Sequence, residues 1–246
     1  MDLSKPRRNL EVNPPMLAEA PWTLTGFCYT LVCKFPSTFL AKSMFIDEFE
    51  GASTGGYGVV MFVHYDSSNV GPYDELLFLP LRKRTLDSKR RFRARSISRI
   101  FVSSEASVQS GRQNWGIPKE RANFELTERS SGRLVTVTRP ETGALIAQFE
   151  VRARGPRFPF NARLLPRAWR RLGQVLQDEV FEYIPKAKGN LRLAQMDVQQ
   201  VESQEFPDFS QGRPLVCLEY SDFEMMFPVA ESWALSRPSR PEDNTH

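Results

Sequence analysis

The sequence predicts a mainly β domain of the α+β class, built on a curved or closed antiparallel sheet. Short runs rich in Val, Ile, Phe and Tyr recur with turn residues between them, at a spacing of roughly ten positions. The chain carries 18 Phe and 18 Pro, a balance that favours strands and ordered loops over a helical bundle. Its 246 residues, 41% of them hydrophobic, suffice for one substantial core.

The elements follow in order. The first twenty residues, charged and Pro-rich, read as an extended arm ahead of one domain over residues 21–236. "PWTLTGFCYTLVCKF" is a buried strand. The segment from Pro36 to Phe49 has room for a short helix, and "EGASTGG" is a loop by composition. "YGVVMFVHY" and "YDELLFLPLRKR", joined by the turn "SSNVGP", make a β-meander unit, and "SISRIFVSS" resumes strand character. "ANFELTER" and "LVTVTRP" alternate on both arms of a hairpin around "SSGR", and "ALIAQFEVRAR" adds a third arm. From Gly155 to Pro166 the chain reads as irregular. Leu165, Trp169, Leu172 and Leu176 recur at helical spacing, which predicts an amphipathic helix near residues 166–178. "LRLAQMDVQQVES" and "LVCLEYSDFEMMF" are the last strands, and the polar tail 237–246 is expected to be disordered.

Composition excludes several function classes. No window approaches the roughly 18 uncharged apolar residues of a membrane helix. The N-terminus has charges and prolines where a signal peptide needs an apolar run. A soluble, cytoplasmic protein is expected. Cys28, Cys33 and Cys217 form neither a disulfide framework nor a metal pattern, and they read as buried small hydrophobes in a reducing compartment. The net charge of +4 is uneven: "RKRTLDSKRRFRARSISR", Arg82 to Arg99, holds nine Lys or Arg against one Asp. Such a run suits phosphate or nucleic acid, but no nucleic-acid signature accompanies it, and a solvated hairpin explains it more simply.

The most unusual stretch is "QNWGIPKERANFEL", where a Gly-Ile-Pro turn delivers Lys119 directly behind a proline. About forty residues earlier stands "GPYDELLFLPL", with Tyr73 and Glu75. The two segments together resemble the pairing found in the acetoacetate decarboxylase-like superfamily, as do the apolar strand ending in "HYD" and the closing "DFEMMFP". The resemblance implies a cone-like β-barrel with flanking strands and one or two short helices, a homo-oligomer, and no metal or cofactor. It also implies that Lys119 forms a Schiff base with a ketone. An amine attacks a carbonyl only when neutral, and at a pKa of about 10.4 a lysine is neutral less than about 0.1% of the time at pH 7. Burial, or a neighbouring cation, supplies the free amine; the second is the known device of acetoacetate decarboxylase itself.

Set against that pattern, the sequence departs in ways that bear on substrate. The second lysine of the decarboxylase pattern is here Glu120, whose charge opposes activation unless an extended backbone turns it to the opposite face. The arginine expected in the first strand aligns near Phe27, and the first of two active-site glutamates near Val60, so only Glu75 is retained. A pocket without the arginine suits acetoacetate poorly. Phe27, Val60, Phe62, Tyr73 and Trp115 are the expected pocket wall, which points to a larger hydrophobic keto compound such as a polyketide or other secondary-metabolite intermediate. Strand alternation puts Val60, Phe62 and His64 on one face, so His64 and Glu120 join Glu75 as candidates for proton transfer. Three functions stay open: a Schiff-base lyase working by decarboxylation or by aldol or dehydration chemistry; a non-covalent binder or isomerase in which Glu120 keeps Lys119 protonated; and a module that binds acidic partners through Arg82 to Arg99.

Overall fold

The apolar runs become strands, and most of them join one sheet. The computed structural model describes residues 17–36, 39, 56–81 and 83–235. The expected arm, the expected helix between Pro36 and Phe49, the loop "EGASTGG" and the tail from Arg237 fall largely or wholly outside those residues. Along the chain run β1 (Trp22–Phe35), β2 (Gly56–Ser67), β3 (Tyr73–Pro80), β4 (Arg84–Asp87), β5 (Phe92–Ala94), β6 (Arg99–Val102), helix α1 (Glu105–Trp115), β7 (Lys119–Arg121), β8 (Asn123–Arg129), β9 (Gly132–Thr138) and β10 (Leu145–Asn161). They are followed by β11 (Leu172–Leu176), β12 (Glu179–Tyr183), β13 (Lys186–Val201), β14 (Arg213–Phe227) and β15 (Glu231–Ala234).

Ten strands pair in the order β7-β6-β3-β2-β1-β14-β13-β10-β9-β8 and curl into a nearly closed barrel. Every pairing in this sheet is antiparallel except β6 with β7, which the crossover helix α1 makes parallel. The two edge strands, β7 and β8, are consecutive in the chain and separated by Ala122 alone, so the backbone itself joins the barrel's edges.

Period-two alternation divides each strand between two faces. Phe62, Leu76, Phe78, Phe101, Val135 and Phe149 are fully buried in one cluster drawn from both halves of the sheet. Phe62 packs across it against Phe124 and Phe149, at 6.4 and 6.0 Å between ring centroids, so this face is the barrel interior. The neighbours of these residues, among them Trp22, Leu24, Val63, Tyr65, Tyr73 and Ile100, point the other way into a second cluster that also takes in Val108 and Trp115 of α1.

Three sequence expectations need correction. No long helix covers residues 166–178: a single turn, Arg167–Arg170, precedes strand β11, and Trp169 is 64% exposed. The helical spacing of Leu172 and Leu176 is incidental, because Gly173 lies too close to Leu86, Phe92 and Ala94 to carry a side chain and β11 pairs with β12. Of the stretch expected to be irregular, Gly155 to Pro166, the part through Asn161 continues β10 and pairs with β13 from Phe158 onward. Helix α1 was not expected at all. It is capped by Ser104, whose side chain accepts from the Ser107 amide at 3.3 Å, and it ends at Gly116 in the left-handed region (φ 62°). The basic run folds around the β4–β5 hairpin, with Leu86, Phe92 and Ala94 buried beneath it.

Candidate active site

The segment "QNWGIPKERANFEL" turns the chain out of α1 and into β7. Gly116 ends the helix, the Lys119 amide donates to the Ile117 carbonyl at 2.8 Å around Pro118, and the Arg112 guanidinium holds the Lys119 carbonyl at 2.9 Å. With its backbone fixed by helix and strand together, Lys119 projects to the face opposite the barrel interior and is 3% exposed.

Its ammonium donates to Glu75 Oε2 at 3.0 Å and to Ser107 Oγ at 2.9 Å, with a longer contact of 3.4 Å to the Tyr73 hydroxyl. The other carboxylate oxygen of Glu75 accepts from the Tyr65 hydroxyl at 3.3 Å. The lysine's methylenes lie on the helix at Gly111, where a β-carbon would stand 2.8 Å from Cδ and 2.9 Å from Cε. Ser107 and Gly111, one turn apart on α1, therefore form a cradle: one accepts from the amine and the other leaves room for its stem. Burial lowers the pKa of Lys119, but Glu75 and Tyr73 outweigh it and hold the ammonium above the ordinary lysine value. Burial also keeps the phenols of Tyr65 and Tyr73 above their ordinary range, so both remain O–H groups.

Beyond this polar end opens a cavity of about 330 Å³, walled by Trp22, Leu24, Met61, Leu77, Ile97 and Phe227 among others. Tyr73, Glu75, Trp115 and Lys119, expected at the site from sequence, all line it. Trp115 is fixed by an indole hydrogen bond to the Pro228 carbonyl at 2.7 Å and by edge contact with Trp22.

Five expected residues do not come to the amine. Val60 and Phe62 belong to the barrel interior and Phe27 packs against that cluster, because the strand face that holds them alternates with the one holding Met61, Val63 and Tyr65. His64 shares their face: its Nδ1 meets Asp74 Oδ1 at 2.7 Å, and its ring stacks on Phe27 at 5.0 Å. The hydrogen bond it donates to Asp74 raises its pKa. The Glu120 carboxylate points away from the lysine, to Arg99 and to Arg139 at 3.1 Å, in a network that Glu205 completes. Ser107, Tyr65 and Gly111 escaped the sequence reading. The first and third share a helix that was not recognised; Tyr65 was legible in principle, since it pairs in register with Tyr73.

Among the described residues, no three His, Cys, Asp or Glu side chains are grouped as a metal would require. None of the described helices is long and apolar enough to cross a membrane.

The fold has clear relatives. Acetoacetate decarboxylase from Legionella pneumophila superposes with a TM-score of 0.62 at 11% identity, over 92% of this chain and 93% of that one. An acetoacetate decarboxylase-like enzyme from Sphingomonas wittichii RW1 gives 0.58 at 12% identity, over 92% and 98% of the two chains. The enduracididine biosynthesis enzyme MppR gives 0.54 at 9% identity, over 89% of each. At these identities the likeness is one of fold. No curated protein matches the sequence. The family model for acetoacetate decarboxylase (ADC) matches residues 46–213, more than half of the chain and a span that includes both Glu75 and Lys119. The chain belongs to the acetoacetate decarboxylase family.

Proposed function

We propose that the protein is an enzyme that forms a Schiff base between Lys119 and a hydrophobic carbonyl substrate. The observation that carries this reading is a buried lysine paired with a single carboxylate at the polar end of an apolar cavity. Imine formation requires the amine to shed a proton, and Glu75 Oε2 stands 3.0 Å away to take it. Transfer within the pair leaves the net charge at zero, so an apolar cavity penalises the neutral pair less than the ionic one. The free amine adds to the carbonyl carbon, the alkoxide takes one proton from the nitrogen of the adduct, and Glu75 returns its own proton to the resulting hydroxyl. Water leaves, and an iminium remains opposite the Glu75 carboxylate. The hydroxyls of Tyr65, Tyr73 and Ser107 orient the carboxylate and the nitrogen.

The iminium draws electrons from the adjacent carbon and supports decarboxylation, aldol cleavage or addition, and dehydration. A complex of MppR with the condensation product of pyruvate and imidazole 4-carboxaldehyde shows a protein of this fold holding the product of a carbonyl condensation. A second reading rests on the raised pKa of Lys119: Glu75, rather than Glu120, keeps it protonated as an anchor for a ligand that is never bound covalently.

Reductive trapping separates the two. Incubation with medium-chain ketones and cyanoborohydride is expected to add the ketone's mass less one oxygen atom, and Lys119→Ala is expected to add nothing. Wild-type protein that stays unmodified with every ketone at pH 7 to 9 would leave the non-covalent reading in place.

A further inference from the structure

We infer that the cavity selects an uncharged, largely apolar ketone or aldehyde over carbonyl acids, and that Glu75 imposes the selection. The inference rests on the Schiff-base reading of the same site and names its substrate class.

The charges around the cavity are already balanced. At the reacting end one ammonium meets one carboxylate at 3.0 Å. The remaining polar groups there are hydroxyls, and the Cys28 thiol, pushed up to about 12 by burial, adds no charge at neutral pH. Among the described residues lining the cavity, the other cation is Lys188; it stands at the exposed rim with its Nζ 2.7 Å from Glu224 Oε2. A substrate carboxylate near the reacting carbonyl would therefore find no described lining cation that lacks a partner. It would lie beside Glu75 in a space lined almost wholly by apolar side chains, which screen the two charges poorly. A neutral carbonyl compound meets no such penalty at any stage, because the ion pair, the neutral pair and the iminium–carboxylate pair all sum to zero. The volume, near the lower end of the roughly 300–1,000 Å³ typical of ligand sites, suits a medium-chain alkyl or aryl group.

The reaction narrows accordingly. A substrate without a carboxylate has no carbon dioxide to lose. A step open to its iminium, besides aldol cleavage, is transfer of an α-proton to the Glu75 carboxylate: the C–H electron pair becomes the enamine double bond, and the iminium nitrogen loses its charge. The enamine is then available for bond formation to a second carbonyl, for elimination of a β-hydroxyl, or for reprotonation.

The test uses a matched pair that shares one ketone and one chain and differs in charge and a single methyl group: a medium-chain γ-keto acid and its methyl ester. Trapping rates on the wild-type protein, each divided by the rate on butylamine, are expected to favour the ester by at least about tenfold, the scale that like-charge juxtaposition in a dry site supports. Glu75→Gln removes the opposing carboxylate and is expected to shift the preference toward the acid by at least about tenfold. Equal trapping of acid and ester by the wild type, or faster trapping of the acid, overturns the charge selection and leaves the Schiff base standing. Failure of both to trap overturns the Schiff-base reading and this inference together. The wild-type comparison needs no variant to fold.

Discussion

Reactivity at Lys119 depends on two small residues of α1 as much as on its charged partner. Because Gly111 gives up its side-chain volume to the lysine stem, Gly111→Ala places a methyl group 2.8 Å from Cδ and 2.9 Å from Cε, so the stem must shift and draw the amine from its position between Glu75 and Ser107. Alanine is a better helix residue than glycine by about 0.5–1 kcal/mol, but displacing the ammonium leaves the buried Glu75 carboxylate without its partner, so the variant is expected to lower its thermal midpoint while ketone trapping falls at least about tenfold. Stability lost while trapping stays unchanged would mean that the methyl group disturbs the helix instead of the lysine. At this scale the sequence was uneven. Lys119, Glu75 and Tyr73 were legible, because a lysine behind Gly-Ile-Pro and a glutamate after a Gly-Pro turn are uncommon enough to carry information. Ser107 and Gly111 were not, since "EASVQSGRQNW" spends its helix on Ser, Gly and Asn, residues of modest helix propensity, and tertiary contact with β7 supplies what propensity lacks.

Between elements, the residue after the lysine joins the barrel's two edges. Glu120 on β7 engages Arg99 on β6 and Arg139 just past β9, both guanidinium groups lie over the Phe101 ring at 4.7 and 5.1 Å, and Glu205 closes the group. The carboxylate that threatened to oppose amine activation is thus spent on the other face of the strand. Glu120→Gln is expected to cost about 1 kcal/mol, as for a partly exposed network, which lowers the thermal midpoint by about 2–4 °C in a chain of this size. The pH profile of ketone trapping is expected to stay where it is, and a displaced profile would show that Glu120 acts on the amine. Strands with clean alternation, such as β8 and β9, could be read directly. The β11 strand could not, because its leucines fall at helical intervals by coincidence and only the close packing of Gly173 against the β4–β5 hairpin decides the matter.

For the whole molecule, the face to which a side chain belongs matters more than its position in sequence. A mainly β, curved sheet was legible from the density of strands and turns, but which alternate set points into the barrel depends on closure, a long-range property that no single strand encodes. That is why Phe62, expected in the pocket, is found in the interior, packed between Phe124 and Phe149. Phe62→Ala is therefore expected to cost about 3–5 kcal/mol of stability, measured by denaturant unfolding, while the surviving folded protein keeps its ligand preference. A changed preference at unchanged stability would return Phe62 to the cavity wall. The alternation has an evolutionary consequence as well. One set of positions along β1, β2 and β3 answers to the packing of the barrel and the interleaved set to the cavity, so selection can rework the wall facing the lysine without disturbing the layer behind it. A lineage free to drift in that way can exchange one ligand for another on a persistent scaffold.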